Sequence, residues 1–558
     1  MVDINTRIRS GPIKNALSYG SYSALVADEF ENSRQSIRQM LVALGFALVD
    51  QTSTGKGVIE ACRARKYDLV LCDFRLGHGK NGQQVLEELR QLKLLKSDAI
   101  FIVISAETSR DVVFGIMESH PDEYLGKPFT QGVLSKRLER LFAQNEALAN
   151  MKEAQAKKDY PQLQRLCEEH IAGQGRYSIW CKKALVDAFL ATESWQALTQ
   201  LCSTELESRD IDWAMLGMAK MHIGRHDWDT AIQCLESTLK SFPQSTTGYD
   251  LLAFCFEKKG RFSQAQQALE ESVKLSPLVA LRQKKMMELS CENGDVHSAV
   301  KASNLALKLT ANTINESPEQ YFQLADLLSE ASVELEGRER KKMTDDALLV
   351  LNRVSKKYSD QHDVRLKKAL CESRLYSIQG HAKQALASLD AAIKMIEEAP
   401  ELKTPDISVQ LGKTLYLAGK KEEANAQWQS EGTVQQLSSE QEQAILDFID
   451  EPLPMGARAK TKALNFKALN HYAKQEYDEA LAVFEEALLI SPNHPGLNLN
   501  LVQTVIKKMA ADQGSDRLLE RCHQAFQRLN HVGENHKQFS RLQTLKTFIT
   551  KYNPQDSA

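Results

Sequence analysis

The chain has 558 residues, 42% of them hydrophobic and 26% charged, the composition of a folded globular protein of several domains. Seventy Lys and Arg against 73 Asp and Glu leave a formal charge of −3, which gives no electrostatic case for a nucleic-acid or anionic-membrane binder. Aromatic content of 7% and 14 prolines argue against a large all-β, collagenous or disordered chain.

The ten cysteines include no C-x-x-C pair, so no zinc knuckle or thioredoxin-type site is expected, only small buried hydrophobes in a reducing compartment. The opening MVDINTRIRSGPIKNALSYG lacks the apolar stretch of a signal peptide, and no apolar run approaches the ~20 residues of a membrane helix. The expectation is a cytoplasmic protein without membrane insertion.

After a tail over 1–21, residues 22–142 alternate short apolar runs with amphipathic stretches. The runs Ser23–Ala27, Leu44–Asp50, Tyr67–Cys72, Ala99–Ser105 and Glu123–Gly126 read as strands. Helical patterns lie between them, for example Asn32–Leu44 and Gln83–Leu92. Alternation of this kind predicts an α/β doubly wound, five-stranded parallel sheet with helices on both faces. The carboxyl ends of such strands share one crevice. The sequence puts Asp28 and Glu29, Asp73, Ser105 and Lys127 at those ends. Crowded carboxylates repel, and a divalent cation with oxygen ligands relieves that; Mg²⁺ suits one or two carboxylates with phosphate oxygens. A lysine nearby offers a point charge for phosphate.

These residues resemble the flavodoxin-like receiver domain of bacterial two-component response regulators. The match lies in the acidic pair Asp28 and Glu29, Asp73, the Ser105 hydroxyl, the aromatic Tyr124, and Lys127 followed by Pro128. The successive spacings also fit: 45 from Asp28 to Asp73, 32 on to Ser105, and 22 on to Lys127. The resemblance implies that Asp73 is the phospho-acceptor, served by a sensor histidine kinase or a phosphotransfer protein. It implies Mg²⁺ held by Glu29, Asp73 and the backbone carbonyl of Arg75, with Asp28 directing a bound water. Ser105 and Lys127 would contact the phosphoryl group, and Tyr124 would rotate as Ser105 is drawn inward. Glu29 stands where Asp is commoner, and the loop FRLGHGKNG brings Arg75, His78 and Lys80 to the neighbourhood of Asp73.

From Thr130 the pattern is one long helix, whose stretch 143–158 serves as a connector into a helical array over 159–550, with a tail over 551–558. Ala197, Ala231, Ala265 and Ala299 recur every 34 residues, followed seven later by Thr204, Thr238, Ser272 and Ala306. Trp228, Phe262 and Val296 precede an alanine by three, and Pro243 and Pro277 close repeats. This period resembles the tetratricopeptide repeat, which implies an all-α superhelical solenoid. Close copies cover Thr246–Pro277 and Thr461–Pro492, and a third covers Leu411, Gly412, Leu415, Gly419, Ala424 and Trp428; weaker ones centre on Ala347 and Ala385. The wide gap from Ala299 to Ala347 predicts longer helices, and that from Ala424 to Ala480 predicts an extra helix at Ser438–Ile449. Segments Gly514–Leu529 and Glu534–Tyr552 are expected to cap the array.

Such arrays present the first helix of each repeat to a peptide or partner protein. Asn465, Asn470 and Asn500, with Lys462 and Lys467, fall on those faces and are candidate peptide-binding residues. No catalytic constellation is evident; Glu440, Glu442, Asp447 and Asp450 are spaced as on a solvated helix. The expectation is a response regulator, not an enzyme, whose phosphorylation controls protein–protein binding. The alternative is a scaffold whose receiver is a constitutive docking module.

Overall fold

The structure is a computed structural model. It describes residues 19–429 apart from 108 and 334, residue 445, and residues 454–552 apart from 513–515, 531 and 534–535. The expected tails at 1–21 and 551–558 thus lie largely outside the described residues. So does the expected extra helix, Ile445 apart, together with Glu440, Glu442, Asp447 and Asp450. Contacts divide the chain into two units, Met1–Gln283 with Lys308–Glu316, and Lys284–Leu307 with Ser317–Ala558.

The first unit begins with β1 (Ser23–Ala27), α1 (Glu31–Ala43), β2 (Leu48–Thr52), α2 (Gly55–Ala64) and β3 (Leu69–Asp73). It continues with α3 (Gly82–Gln91), β4 (Ile100–Ser105), α4 (Arg110–Glu118), β5 (Glu123–Gly126) and α5 (Gln131–Lys157). The strands form one parallel sheet in the order β2-β1-β3-β4-β5. Alternate residues along a strand point to opposite faces, and both faces are covered here. Ala24, Val26, Leu69, Leu71, Ile102 and Ile104 pack with Leu41 of α1 and Leu134 and Leu138 of α5. Their neighbours Leu25, Val70, Cys72, Phe101 and Val103 pack the other way, with Val58 of α2, Leu86 of α3 and Ile116 of α4.

The second strand differs from the sequence reading, which began it at Leu44. The helix α1 runs to Ala43, Leu44 caps it in helical geometry, and Gly45 turns the chain with φ +95°. A left-handed residue after a helix suits glycine, and the strand starts only after it.

The Thr130 hydroxyl accepts from the Val133 N–H and starts α5, a helix of 27 residues. Its first half serves the sheet core. Its second half puts Leu148, Met151 and Ala154 among Leu163 and Cys167 of α6 (Tyr160–Ala172) and Cys181 of α7 (Ser178–Ala191).

Helical hairpins follow: α7 with α8 (Trp195–Leu206), α9 (Asp212–Gly224) with α10 (Trp228–Ser241), and α11 (Thr246–Lys258) with α12 (Phe262–Leu275). The boundary between the units falls in α13 (Ala280–Asn293) and α14 (Val296–Thr310). Ala231, Ala265 and Ala299 are fully buried, as the close approach of two helices requires. Ala197 is not: Leu198 takes the buried place. Left-handed turn residues recur at Glu193, His226, Gly260 and Gly294, so the first spacing is 33 and the next two are 34. The deficit lies in α8, which has 12 residues where α10 and α12 have 14, so the buried position, five after each turn residue, moves by one.

The second unit contains α15 (Pro318–Val333) with α16 (Gly337–Lys357), α17 (His362–Ile378) with α18 (Ala382–Glu398), and α19 (Pro405–Leu417) with α20 (Lys421–Gln429). Beyond residue 453 come α21 (Met455–Ala473) with α22 (Tyr477–Ile490), α23 (Pro495–Asp512) with α24 (Asp516–Arg528), and α25 (Phe539–Tyr552). Ala347, Ala385, Ala424 and Ala480 are all buried between their helices. The wide spacing before Ala347 comes with the 16 and 21 residues of α15 and α16. Among the described residues no helix is long and apolar enough to cross a membrane.

All ten cysteines are free, and eight are buried. Burial pushes the thiols of Cys62 and Cys522 up to about 12 and that of Cys255 up to about 11. The thiolate is the reactive form, so these groups are nearly all protonated at pH 8. Iodoacetamide at that pH should leave the native chain largely unmodified over an hour and label all ten thiols in urea, as intact mass would record. Rapid modification of native Cys62 or Cys522 would contradict the buried environment.

Candidate functional site

Parallel strands bring their carboxyl ends to one edge of the sheet, and the chain reverses its winding between β1 and β3. Ala27 pairs with Cys72, Asp73 with Ile104, and Ser105 with Gly126. The residues that follow, Asp28 and Lys127, therefore stand beside Asp73 and Ser105. Asp28 has no exposed surface and Asp73 is 6% exposed. The Lys127 Nζ lies between them, 2.5 Å from Asp28 Oδ2 and in direct contact with Asp73 Oδ2. The Lys127–Pro128 peptide is cis.

The remaining lone pairs are also engaged. Asp28 Oδ1 accepts from the Phe30 N–H at 2.9 Å, and Asp28 Oδ2 accepts from the Ser33 hydroxyl at 2.5 Å. Arg34 donates to the backbone carbonyls of Asp28 and Glu29 at 2.7 and 3.0 Å, which fixes the turn into α1. Asp73 Oδ1 accepts from the Arg75 N–H at 3.0 Å. Burial opposes ionisation of Asp28, but bonds from Lys127, Ser33 and the Phe30 N–H outweigh it and hold its carboxyl below the usual range. At Asp73 burial prevails over Lys127 and Arg75, with the Asp28 charge adding to it, and the carboxyl is raised. Burial acts to lower Lys127, yet its two carboxylate partners hold it above the ordinary ammonium range.

Two glycines let the surrounding loop close on the pocket. A Cβ on Gly82, at the start of α3, would sit 2.5 Å from the Asp73 carbonyl oxygen. Gly77 has φ +68°, and the Glu29 carboxylate lies against it, 3.1 Å from where a Cβ would be. On the other side, the Ser105 hydroxyl accepts from the Glu107 N–H at 2.9 Å and the Tyr124 hydroxyl donates to the Glu107 carbonyl at 2.5 Å. The Arg75 side chain pairs with the Glu107 carboxylate.

The sequence reading singled out Asp28, Glu29, Asp73, Ser105, Tyr124 and Lys127, but it gave no role to Ser33, Arg34 or Glu107. Ser33 and Arg34 follow Asp28 by five and six residues, on the first turn of α1, and that spacing was their one available signal. Within the loop after Asp73, Lys80 is committed to Glu88 in a buried pair at 2.6 Å, and His78 is exposed.

The donor chemistry fits a hard divalent cation. Asp28, Glu29 and Asp73 bring three negative charges and Lys127 one positive, a deficit that Mg²⁺ would balance with oxygen ligands. Lys127 bridges two of the three acids, and among the described residues no three metal-binding side chains are drawn into one cage.

In the array, Asn500 Nδ2 of α23 donates to Asn465 Oδ1 of α21 at 3.0 Å. Arg541 of α25 donates to Asn500 at 2.8 Å and to Gln503 at 2.7 Å. Lys462 pairs with Glu292 at 2.7 Å, while Lys467 and Asn470 are exposed along α21. The five candidates therefore do not form one cluster. Arg541 was missed in the sequence because its helix carries no recognisable repeat motif.

Comparison with known proteins agrees with both halves of this description. A family model described as the response regulator receiver domain matches residues 24–139. Tetratricopeptide repeat models match 213–245, 247–277 and 461–494. The chemotaxis protein CheY of Pseudomonas aeruginosa is 26% identical over 118 residues, which are 21% of this chain and 94% of that protein. CheY-3 of Vibrio cholerae is 25% identical over the same length, covering 89% of that protein. Among solved structures, a CheY-like receiver domain from Methylobacillus flagellatus aligns with TM-score 0.20 and 23% identity over 22% of this chain and 98% of its own. With the β2-β1-β3-β4-β5 sheet and the acidic edge already described, residues 24–139 belong to the response regulator receiver family, and tetratricopeptide repeats follow them in the chain.

Proposed function

We propose that the protein is a phosphorylation-dependent response regulator whose output is protein binding by the repeat array. The observation that carries this reading is the Lys127 ammonium held between buried Asp28 and Asp73 at the carboxyl edge of the sheet. The phosphodonor is the phosphohistidine of a sensor histidine kinase or a phosphotransfer protein. An Asp73 carboxylate oxygen forms the new P–O bond as the donor's P–N bond breaks, and the leaving imidazole takes up a proton.

Glu29, Asp73 and the Arg75 backbone carbonyl are the proposed holders of Mg²⁺, with Asp28 acting through a bound water. When bound, the ion neutralises charge on the transferring oxygens. Lys127 supplies a fixed positive charge for the phosphoryl group. Ser105 gives up its bond from the Glu107 N–H to donate to a phosphoryl oxygen, and Tyr124 turns into the space that opens.

Tetratricopeptide hairpins supply the output as a protein or peptide site, for which Asn465, Asn500 and Arg541 offer bonds to an extended backbone, with Lys462, Lys467 and Asn470 alongside. The chain's charge balance favours neither nucleic acid nor membrane as the partner.

Acetyl phosphate with Mg²⁺ should add one phosphoryl group per chain, read by intact mass. The Asp73→Ala variant should take up none, while remaining folded. Equal labelling of the variant would place the acceptor elsewhere. A partner recovered from cells that binds phosphorylated and unphosphorylated chain equally would favour the constitutive scaffold instead, because equal affinities shift no equilibrium.

A further inference from the structure

The receiver's α3 and α4 do not face solvent throughout; within the first unit they meet the joint between α12 and α13. Arg282, near the start of α13, has a side chain only 5% exposed and grips two carboxylates. Its Nε and NH2 donate to Asp250 of α11 at 3.0 and 2.7 Å. Its NH1 and NH2 donate to Glu118, the last residue of α4, at 2.8 and 3.2 Å. NH1 also donates to the Ser276 carbonyl at 2.9 Å, so every face of the fork is occupied. The Ser276 hydroxyl donates to Glu118 as well, at 3.1 Å.

Apolar and amide contacts continue this seam. A Cβ on Gly115 of α4 would lie 3.3 Å from the Leu278 side chain, so a glycine there admits the joint closely. Gln84 of α3 donates to the Leu309 carbonyl at 2.6 Å. A buried planar guanidinium shared between two partly exposed acids is geometrically specific in a way that scattered surface pairs are not.

The seam is attached to the acceptor pocket through α4. Its amino end follows Glu107, whose N–H is bound by the Ser105 hydroxyl and whose carbonyl is bound by Tyr124. Its carboxyl end is Glu118, bound by Arg282. The two attachments are 11 positions apart, and the helix between them, α4, has nine residues. The clamp is closed in the same arrangement in which the Ser105 hydroxyl is engaged by the Glu107 N–H.

We propose that Arg282 is a clamp by which the repeat array holds the receiver's α4, and that the clamp favours the unphosphorylated receiver. This rests on the phospho-acceptor reading of Asp73. A phosphoryl group that draws Ser105 inward frees the Glu107 N–H, shifts the start of α4 and loosens Glu118 from Arg282. Coupling of this kind is reciprocal, so loosening the clamp must strengthen binding at Asp73 by the same factor.

The test uses the full chain, Mg²⁺ and beryllofluoride, a phosphoryl mimic that binds an aspartate without forming a stable ester. Glu118→Gln keeps the size of the side chain and removes its charge. It should bind beryllofluoride about tenfold more tightly than wild type, within the range usual for coupled sites. In wild type, beryllofluoride should speed hydrogen exchange at residues 276–283, a reading that needs no substitution. Equal or weaker affinity in Glu118→Gln, or exchange at 276–283 that does not respond, overturns the clamp while leaving Asp73 as acceptor. Failure of wild type to bind beryllofluoride overturns the acceptor reading and the clamp with it.

Discussion

Lys127→Met should destabilise the receiver by about 3–5 kcal/mol, more than removal of either acid that the lysine touches. The lysine side chain is 20% exposed, Asp28 is fully buried and Asp73 nearly so. Removing the ammonium leaves two buried carboxylates side by side with no counter-charge, and the loss is chiefly that desolvated repulsion. Asp73→Asn leaves Lys127 on Asp28 and should cost less. Restoring neutrality in Lys127→Met by adding Asp28→Asn should recover much of the stability, and Mg²⁺ should stabilise Lys127→Met more than it stabilises wild type. Hydrogen exchange of the β1 and β3 amides reads the receiver by itself, free of the repeats. If Lys127→Met exchanged like wild type, the ammonium would not be the group that makes this acidic edge tolerable.

The receiver was legible because its signals are local. A short continuous apolar run bounded by polar residues needs no knowledge of the rest of the chain, and five such strands determine where their ends, with Asp28, Asp73, Ser105 and Lys127, meet. What surrounds the ends was less visible. Ser33 and Arg34 act through a turn whose geometry the residue types do not state, and Glu107 matters through its backbone, which any residue carries. Glu118 and Arg282 are 164 residues apart, and neither carries a motif. The start of the second strand was misplaced because Leu44 continues the apolar run, whereas Gly45 decides where the helix ends. In the array, period alone carried the reading from Ala231 to Ala299, and it slipped at Ala197, where the interval between turn residues is 33 because α8 is shorter. The groove was least legible. Asn465 and Asn500 are 35 residues apart, one off the 34-residue period, so spacing does not pair them, and nothing in the sequence separates a bonding asparagine from a solvated one such as Asn470.

Phe484→Ala should have the largest effect in the second unit, a loss of about 3–5 kcal/mol. Phe484 has no exposed surface and packs with Ala468 of α21, Ala480 of its own helix α22, and Leu497 and Val502 of α23. A phenyl ring removed there leaves a cavity between two hairpins, and the small alanines on either side have no bulk to fill it. Repeat arrays transmit loss of packing mainly to the nearest neighbours. Faster hydrogen exchange should therefore appear across α21 to α24, and weaken toward α15. The receiver is in the other unit, and phosphoryl uptake from acetyl phosphate should be unchanged. Exchange confined to α22 would mean that the hairpins do not share a core at this position. Loss of phosphoryl uptake together with the array would mean that the receiver depends on distant repeats for its own fold. Unchanged uptake with a melted C-terminal array would instead separate the two tasks of the chain: the acceptor chemistry needs only the sheet and its acidic edge, while recognition needs the stacked hairpins.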